Sequence, residues 1–171
     1  MVLDFTKTLS EALGEIGFLD AHHLFAVHPE EKPTTHTTHL IKQYGDAKWA
    51  VVDALNKHYG TLLPFQIDLI NWLHFNDADE PSYFLNEAGS NSLHYSDFGA
   101  PAQFNLWLGR RGFIIAIEQR GRGFNALEID QLNKKQNEGA AFTFFRKSTS
   151  AIFFDNPHNA TTVYFQTLLT L

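Results

Sequence analysis

Glu87 and Asn91 stand four residues apart in the stretch Glu87-Ala88-Gly89-Ser90-Asn91-Ser92-Leu93-His94. On a helix that spacing puts both side chains on one face. A carboxylate beside an amide oxygen can hold hydrated Mg²⁺, an ion that prefers oxygen ligands and shares them with phosphates. The same carboxylate can take a proton from a water or hydroxyl attacking a γ-phosphate. Ser90 and His94 fall on neighbouring faces. The plainer alternative is a solvated helix face that carries a Glu and an Asn.

Two glycine-containing segments follow. Gln119-Arg120-Gly121-Arg122-Gly123-Phe124 closes a run of apolar residues. Glycines there permit backbone conformations and a close ligand approach that side chains block, so the pair could form one wall of a nucleotide pocket. The alternative is an ordinary strand-ending turn, because a lone Gly-x-Gly is weak evidence. Glu138-Gly139-Ala140-Ala141 reads as the onset of a helix, where free N–H groups and the helix dipole can receive a phosphate. A plain loop-to-helix junction with small residues is the alternative.

Other clusters lead nowhere. Nine His include His22, His23, His28, His36 and His39. These lie beside few acids, whereas a zinc site needs three or four converging ligands with supporting hydrogen bonds. Ser148-Thr149-Ser150 resembles the central motif of ADP-ribosylating toxins, but no Glu follows it. The absence of Cys removes disulfides, thiolate metal sites and a cysteine nucleophile, and is compatible with a cytoplasmic address. A net charge of −6 without a basic run argues against a nucleic-acid surface. The first residues lack the pattern of a signal peptide, and no apolar stretch approaches the ~20 residues that span a bilayer.

The elements that must position these residues can be read from periodicity. With 171 residues, 44% of them hydrophobic, the chain can bury one core, with or without a small appendage. Phe5 to Phe18 suits a short amphipathic helix, and Thr38 to Tyr59 a longer one, with apolar residues at three- and four-residue spacing and Gly60 as a stop. The Pro- and Thr-rich stretch from His28 to Thr38 is the expected joint. Pro64 to Phe75 fits strand or helix, with helix preferred. Asp77-Ala78-Asp79-Glu80-Pro81 is a helix start, with acids at the positive end and Pro in the first turn, and that helix carries Glu87 and Asn91. Phe104–Leu108 and Phe113–Ile117 flank Gly109-Arg110-Arg111-Gly112 as a β-hairpin. Asn125 to Glu138 suits a mobile segment or a surface helix, and Gly139 to Lys147 a helix. Ala151–Phe154 and Thr162–Phe165 read as strands joined by Asp155-Asn156-Pro157-His158-Asn159.

This order of motifs resembles the ATP-binding domain of the GHKL superfamily, nearest its anti-sigma-factor serine kinase and histidine kinase branch. That family has a helix with Glu and Asn four apart, a hairpin, Asp-x-Gly-x-Gly, a variable lid, a Gly-x-Gly helix start and two closing strands. The likeness covers roughly residues 65 to 169. It implies an α+β fold, a two-layer α/β sandwich whose mixed, mostly antiparallel sheet is covered by helices on one face. It further implies ATP and Mg as cofactors, Glu87 as general base and Asn91 as the metal ligand. Gln119, Gly121, Gly123, Gly139 and Thr162 would complete the nucleotide site. The sequence departs from the family where it matters: Gln119 replaces the Asp that accepts from the adenine amino group, Ala141 the second glycine of the later pair, and Thr161-Thr162 the usual Gly-Thr. The expected organisation is a helical extension over residues 1–60 and the sandwich domain over 61–171. The expected function is Mg-ATP-dependent phosphorylation or sequestration of a protein partner, with a homodimer possible by analogy. The alternative is a degenerate relative that binds protein without nucleotide turnover.

Overall fold

The computed structural model describes residues 3–27, 37–74, 78–95, 101–136 and 140–170, with backbone alone for 37–41, 72–73, 89–95, 136 and 140. Its centre is a five-stranded sheet of β1 (Phe18–Ala26), β2 (Pro101–Gly109), β3 (Gly112–Gln119), β4 (Ala151–Phe154) and β5 (Thr162–Leu168), in the order β1-β2-β3-β5-β4. All four pairings between these strands are antiparallel, where a mixed sheet was expected. Around it are α1 (Leu9–Ile16), α2 (Thr37–Tyr59), α3 (Glu80–Tyr95), α4 (Ala126–Gln136) and α5 (Ala140–Lys147).

The larger core lies between one face of the sheet and a helical layer. Val51 and Leu55 of α2, Phe84 and Leu85 of α3, and Phe142 and Phe145 of α5 pack there against Phe104, Leu106, Phe113, Ile115 and Phe165. The opposite face is not bare. Ala12 and Ile16 of α1 bury Trp107, Ile114, Ala116 and Phe153 in a second, smaller cluster, so helices cover both faces. This double cover explains why Phe113 to Ile117 is an unbroken apolar run rather than an alternating one. Both faces of β3 need hydrocarbon, and all five residues are buried.

The described part of residues 1–60, expected as a helical extension, contributes a strand to this sheet and a helix to its core. β1 is one of its edges and α2 supplies part of the main core. The strand escapes a periodicity search because most of its side chains are exposed and those that pack are not regularly spaced. His22, His23 and Leu24 are consecutively exposed, so no apolar alternation survives in the sequence. Its start is irregular, with Asp20 at φ 57° where the register to β2 shifts. The outer edge of β4 meets the N-terminal segment, through a parallel bridge between Leu3 and Ile152 and a bond from Asp4 N to Ile152 O of 2.8 Å.

Local signals decide the helix ends. Thr8 and Glu11 form a capping box at the start of α1, and Gly17, at φ 63°, ends it in the left-handed conformation. Arg111 in the β2–β3 turn then donates to the carbonyls of Glu15 (3.0 Å) and Gly14 (2.8 Å). At the start of α3, the buried Asp79 accepts from Ser82 N (3.2 Å), Asp68 N (2.9 Å) and the Asn71 amide (2.8 Å). Among its described residues, the Pro64 to Phe75 stretch holds a six-residue 3-10 helix, Leu69–His74. α2, α4, α5 and the β2–β3 and β4–β5 pairs lie where the sequence puts them. The expected joint falls almost wholly on residues 28–36, outside the described residues. No helix among the described residues is long and apolar enough to cross a membrane.

Candidate functional site

The sequence-predicted site residues converge, in part, on one end of the sheet. β3 ends at Gln119 and the chain turns through Gly121, whose φ of 117° is open to glycine and strained for other residues. From there it runs beside the β4–β5 loop. Phe124 and Ala160 exchange backbone bonds of 3.0 and 2.7 Å, and Ala126 N donates to Pro157 O at 2.8 Å. Asp155 organises the loop from within. Its Oδ1 accepts from Thr161 N (3.0 Å) and Thr162 N (3.1 Å), and its Oδ2 from the Thr161 hydroxyl (2.8 Å). Thr162 is buried at the start of β5.

Gln119 is only 6% exposed, and its amide nitrogen is engaged. Nε2 donates to Arg122 O at 2.7 Å, while the backbone N–H donates to Thr161 O at 2.9 Å. Gly123 lacks a side chain for a reason of packing: a Cβ there would lie 2.2 Å from Asn159 Oδ1. The space that a glycine leaves for a ligand is filled by the chain's own asparagine.

α3 approaches this end with Ala88, the residue after Glu87. Ala88, Gln119, Phe124, Phe145 and Thr161 line a cavity of about 10 Å³. Such a volume admits roughly one water molecule. Two of these lining residues are aromatic, Phe124 from the glycine segment and Phe145 from α5. Glu87 itself is half-buried and does not line the cavity. Beside it, Asn86 accepts at 2.9 Å from Lys48 of α2, whose ammonium pKa is pulled down by burial. The Asn91 side chain and Gly139 lie outside the described residues.

No family model matches this sequence, and no curated protein matches it either. The reading of the site therefore rests on its own geometry.

Among the described residues there is no group of three or more His, Asp or Glu placed to hold a metal ion. His22 has a structural partner set, its ring stacked on Trp107 at 4.6 Å and its Nε2 2.9 Å from Asn105 Oδ1. Ser148, Thr149 and Ser150 also have a structural role. The Glu80 carboxylate accepts from Thr149 N (2.7 Å) and hydroxyl (3.0 Å), from Ser150 N (3.1 Å) and hydroxyl (2.8 Å), and from the Ser148 hydroxyl (3.2 Å). This ties the first turn of α3 to the start of β4.

Sequence reasoning missed Asn159, Phe145 and Arg122 as determinants of this end. Asp155 to Asn159 is legible as a turn, but nothing in a turn motif says which distant glycine its last side chain will cover. A second missed group, Asp130, Lys134 and Arg146, joins α4 to α5.

Proposed function

We propose that this chain is a regulatory binding module of the degenerate GHKL-like kind, one that engages a protein partner and does not turn over nucleotide. The observation that carries the reading is how tightly the described residues pack at this end of the sheet. Small-molecule sites typically enclose ~300–1,000 Å³, whereas the cavity between α3 and Gln119 measures about 10 Å³. The Gln119 amide nitrogen is bonded internally, and Asn159 fills the approach that Gly123 would offer. A protein-binding role is supported by β1, an edge strand that leaves Leu19 39% and Leu24 52% exposed. Free strand edges recruit extended partner segments, and a second copy of this chain is one such partner.

A second reading keeps Mg-ATP, with Glu87 as general base and Asn91 on the metal. It is favoured by one fact: α3 brings Ala88, adjacent to Glu87, against the same cavity as Gln119 and Thr161. Thermal unfolding with and without Mg-ATP separates the two. The binding-module reading expects an unchanged midpoint. A ligand that binds the native state alone adds about 2.7 kcal/mol at a hundredfold excess over Kd, which would raise the midpoint and favour the second reading. In that event Glu87→Gln should abolish ATP turnover and spare binding.

A further inference from the structure

Two clefts meet at α4, and neither shares a lining residue with the cavity at Gln119. The larger, about 400 Å³, is bounded by Leu3 and Phe5 of the N-terminal segment, by Leu127, Asp130 and Lys134 of α4, and by Arg146 of α5. The smaller, about 250 Å³, shares Lys134 and Arg146 and adds Lys147 and two neutral polar residues. In the larger cleft one wall is hydrocarbon and the other is charged.

Asp130 sits at the charged wall with its side chain 5% exposed. Its Oδ2 pairs with Lys134 Nζ at 3.1 Å, one turn along the helix. Its Oδ1 has no hydrogen-bond donor; Arg146 Nε stands off at 3.7 Å. A buried carboxylate oxygen without a donor carries a desolvation penalty that a closer guanidinium would relieve. A purely structural ion pair explains Lys134 but leaves Arg146 poised and incompletely used. In the larger cleft two cations, Lys134 and Arg146, face one acid, Asp130, in a chain whose overall charge is −6. The local balance therefore favours one negative charge on an occupant.

We infer that the larger cleft binds a small apolar monocarboxylate. The ligand carboxylate lies between Lys134 and Arg146, and its hydrocarbon body rests on Leu3, Phe5 and Leu127. Arginine has five donors, so Arg146 can serve the ligand and Asp130 Oδ1 together. A dianion such as phosphate exceeds the single net positive charge of the larger cleft, and the Asp130 carboxylate and the dipoles at the last turns of α4 and α5 repel it about twice as strongly as a monoanion. The volume falls in the lower part of the range of small-molecule sites.

The test is calorimetric titration of the full chain with 3-phenylpropionate, 3-phenylpropan-1-ol and inorganic phosphate. Saturable binding of the carboxylate is expected, with the alcohol at least roughly tenfold weaker, a difference of about 1.4 kcal/mol, and phosphate silent. Arg146→Gln should weaken the carboxylate about tenfold, and Leu127→Trp, which fills the apolar wall, should abolish its binding. Circular dichroism establishes that each variant is folded, and Lys134→Gln, at a 59% exposed side chain, replaces Arg146→Gln if that variant is not. The inference is overturned if the carboxylate gives no saturable heat up to about 1 mM. It is equally overturned if the alcohol or phosphate binds as well as the carboxylate, or if the folded variants bind as wild type does.

Discussion

The Tyr59 hydroxyl lies 2.9 Å from Gly109 O and 2.6 Å from Gly112 O, and accepts from Gly109 N at 3.1 Å, so one buried side chain holds both ends of the β2–β3 turn. Tyr59→Phe leaves a buried N–H and the carbonyl that receives the single hydroxyl proton short of a partner and should cost about 1–3 kcal/mol in urea denaturation at neutral pH. Burial also pushes the Tyr59 pKa up to about 12, from 10.0. The native state thus holds this proton more tightly than the unfolded chain does. The associated stability is complete below pH 10 and is lost as pH rises from 10 through 12. Tyr164, also raised to about 12 by burial and by Asp155 and Glu118, adds to the same alkaline limb. Denaturation curves from pH 8 to about 11.5 should fall steeply for wild type and less steeply for Tyr59→Phe, which keeps only the Tyr164 share. At Gly123 the constraint is steric. Gly123→Ala should destabilise by about 1–3 kcal/mol, and adding Asn159→Ala should recover part of that loss, a coupling that a double-mutant cycle reads directly. Additivity of the two substitutions would mean that Asn159 does not occupy the space in front of Gly123.

At the scale of elements, α3 is held at its start by two carboxylates with different tasks. Asp79 caps the helix and ties it to Asp68 and Asn71, and Glu80 reaches across to Thr149 and Ser150. Glu80→Ala should cost up to about 3 kcal/mol, the upper range for hydrogen bonds to a charged group, with chemical denaturation as the measurement. α3 was legible in the sequence because its start signal is local: acids, then Pro81, then apolar residues at helical spacing. α2 and the β2–β3 hairpin were legible for the same kind of reason. β1 was not, because an edge strand with exposed His22, His23 and Leu24 carries no alternation to detect. The Leu69–His74 segment, too, reads as α-helix by spacing but forms only a short 3-10 helix. Its backbone Asp68 N–H and Asn71 side chain are drawn to Asp79, a tertiary partner that no local pattern announces.

At the scale of the molecule, α1, β1 and α2 from the N-terminal sixty residues pack with the rest of the fold. α1 covers Trp107, Ile114 and Phe153, and β1 pairs along β2 from Phe18 to Ala26. Deletion of residues 1–36 should therefore abolish cooperative thermal unfolding by calorimetry, because it strips β1 from the sheet and uncovers the smaller core. A truncated chain that still melts in one sharp transition would show the segment to be dispensable. What the sequence determined by itself is the set of local choices: helices with caps, the hairpin with its glycines, and an α+β composition with one unbroken apolar strand. These follow from short-range sterics, hydrogen bonding and periodicity, all of which act within a few residues. What only the tertiary structure decided is the use of each residue once distant segments met. Gly123 faces Asn159 because two loops bond to each other, and Gln119 is spent on Arg122 because the turn folds back. Glu87 stands one helical position away from the cavity that Ala88 lines, and Asp130 finds Arg146 because α4 and α5 pack side by side. Such pairings depend on the path of the whole chain, which no local spacing encodes.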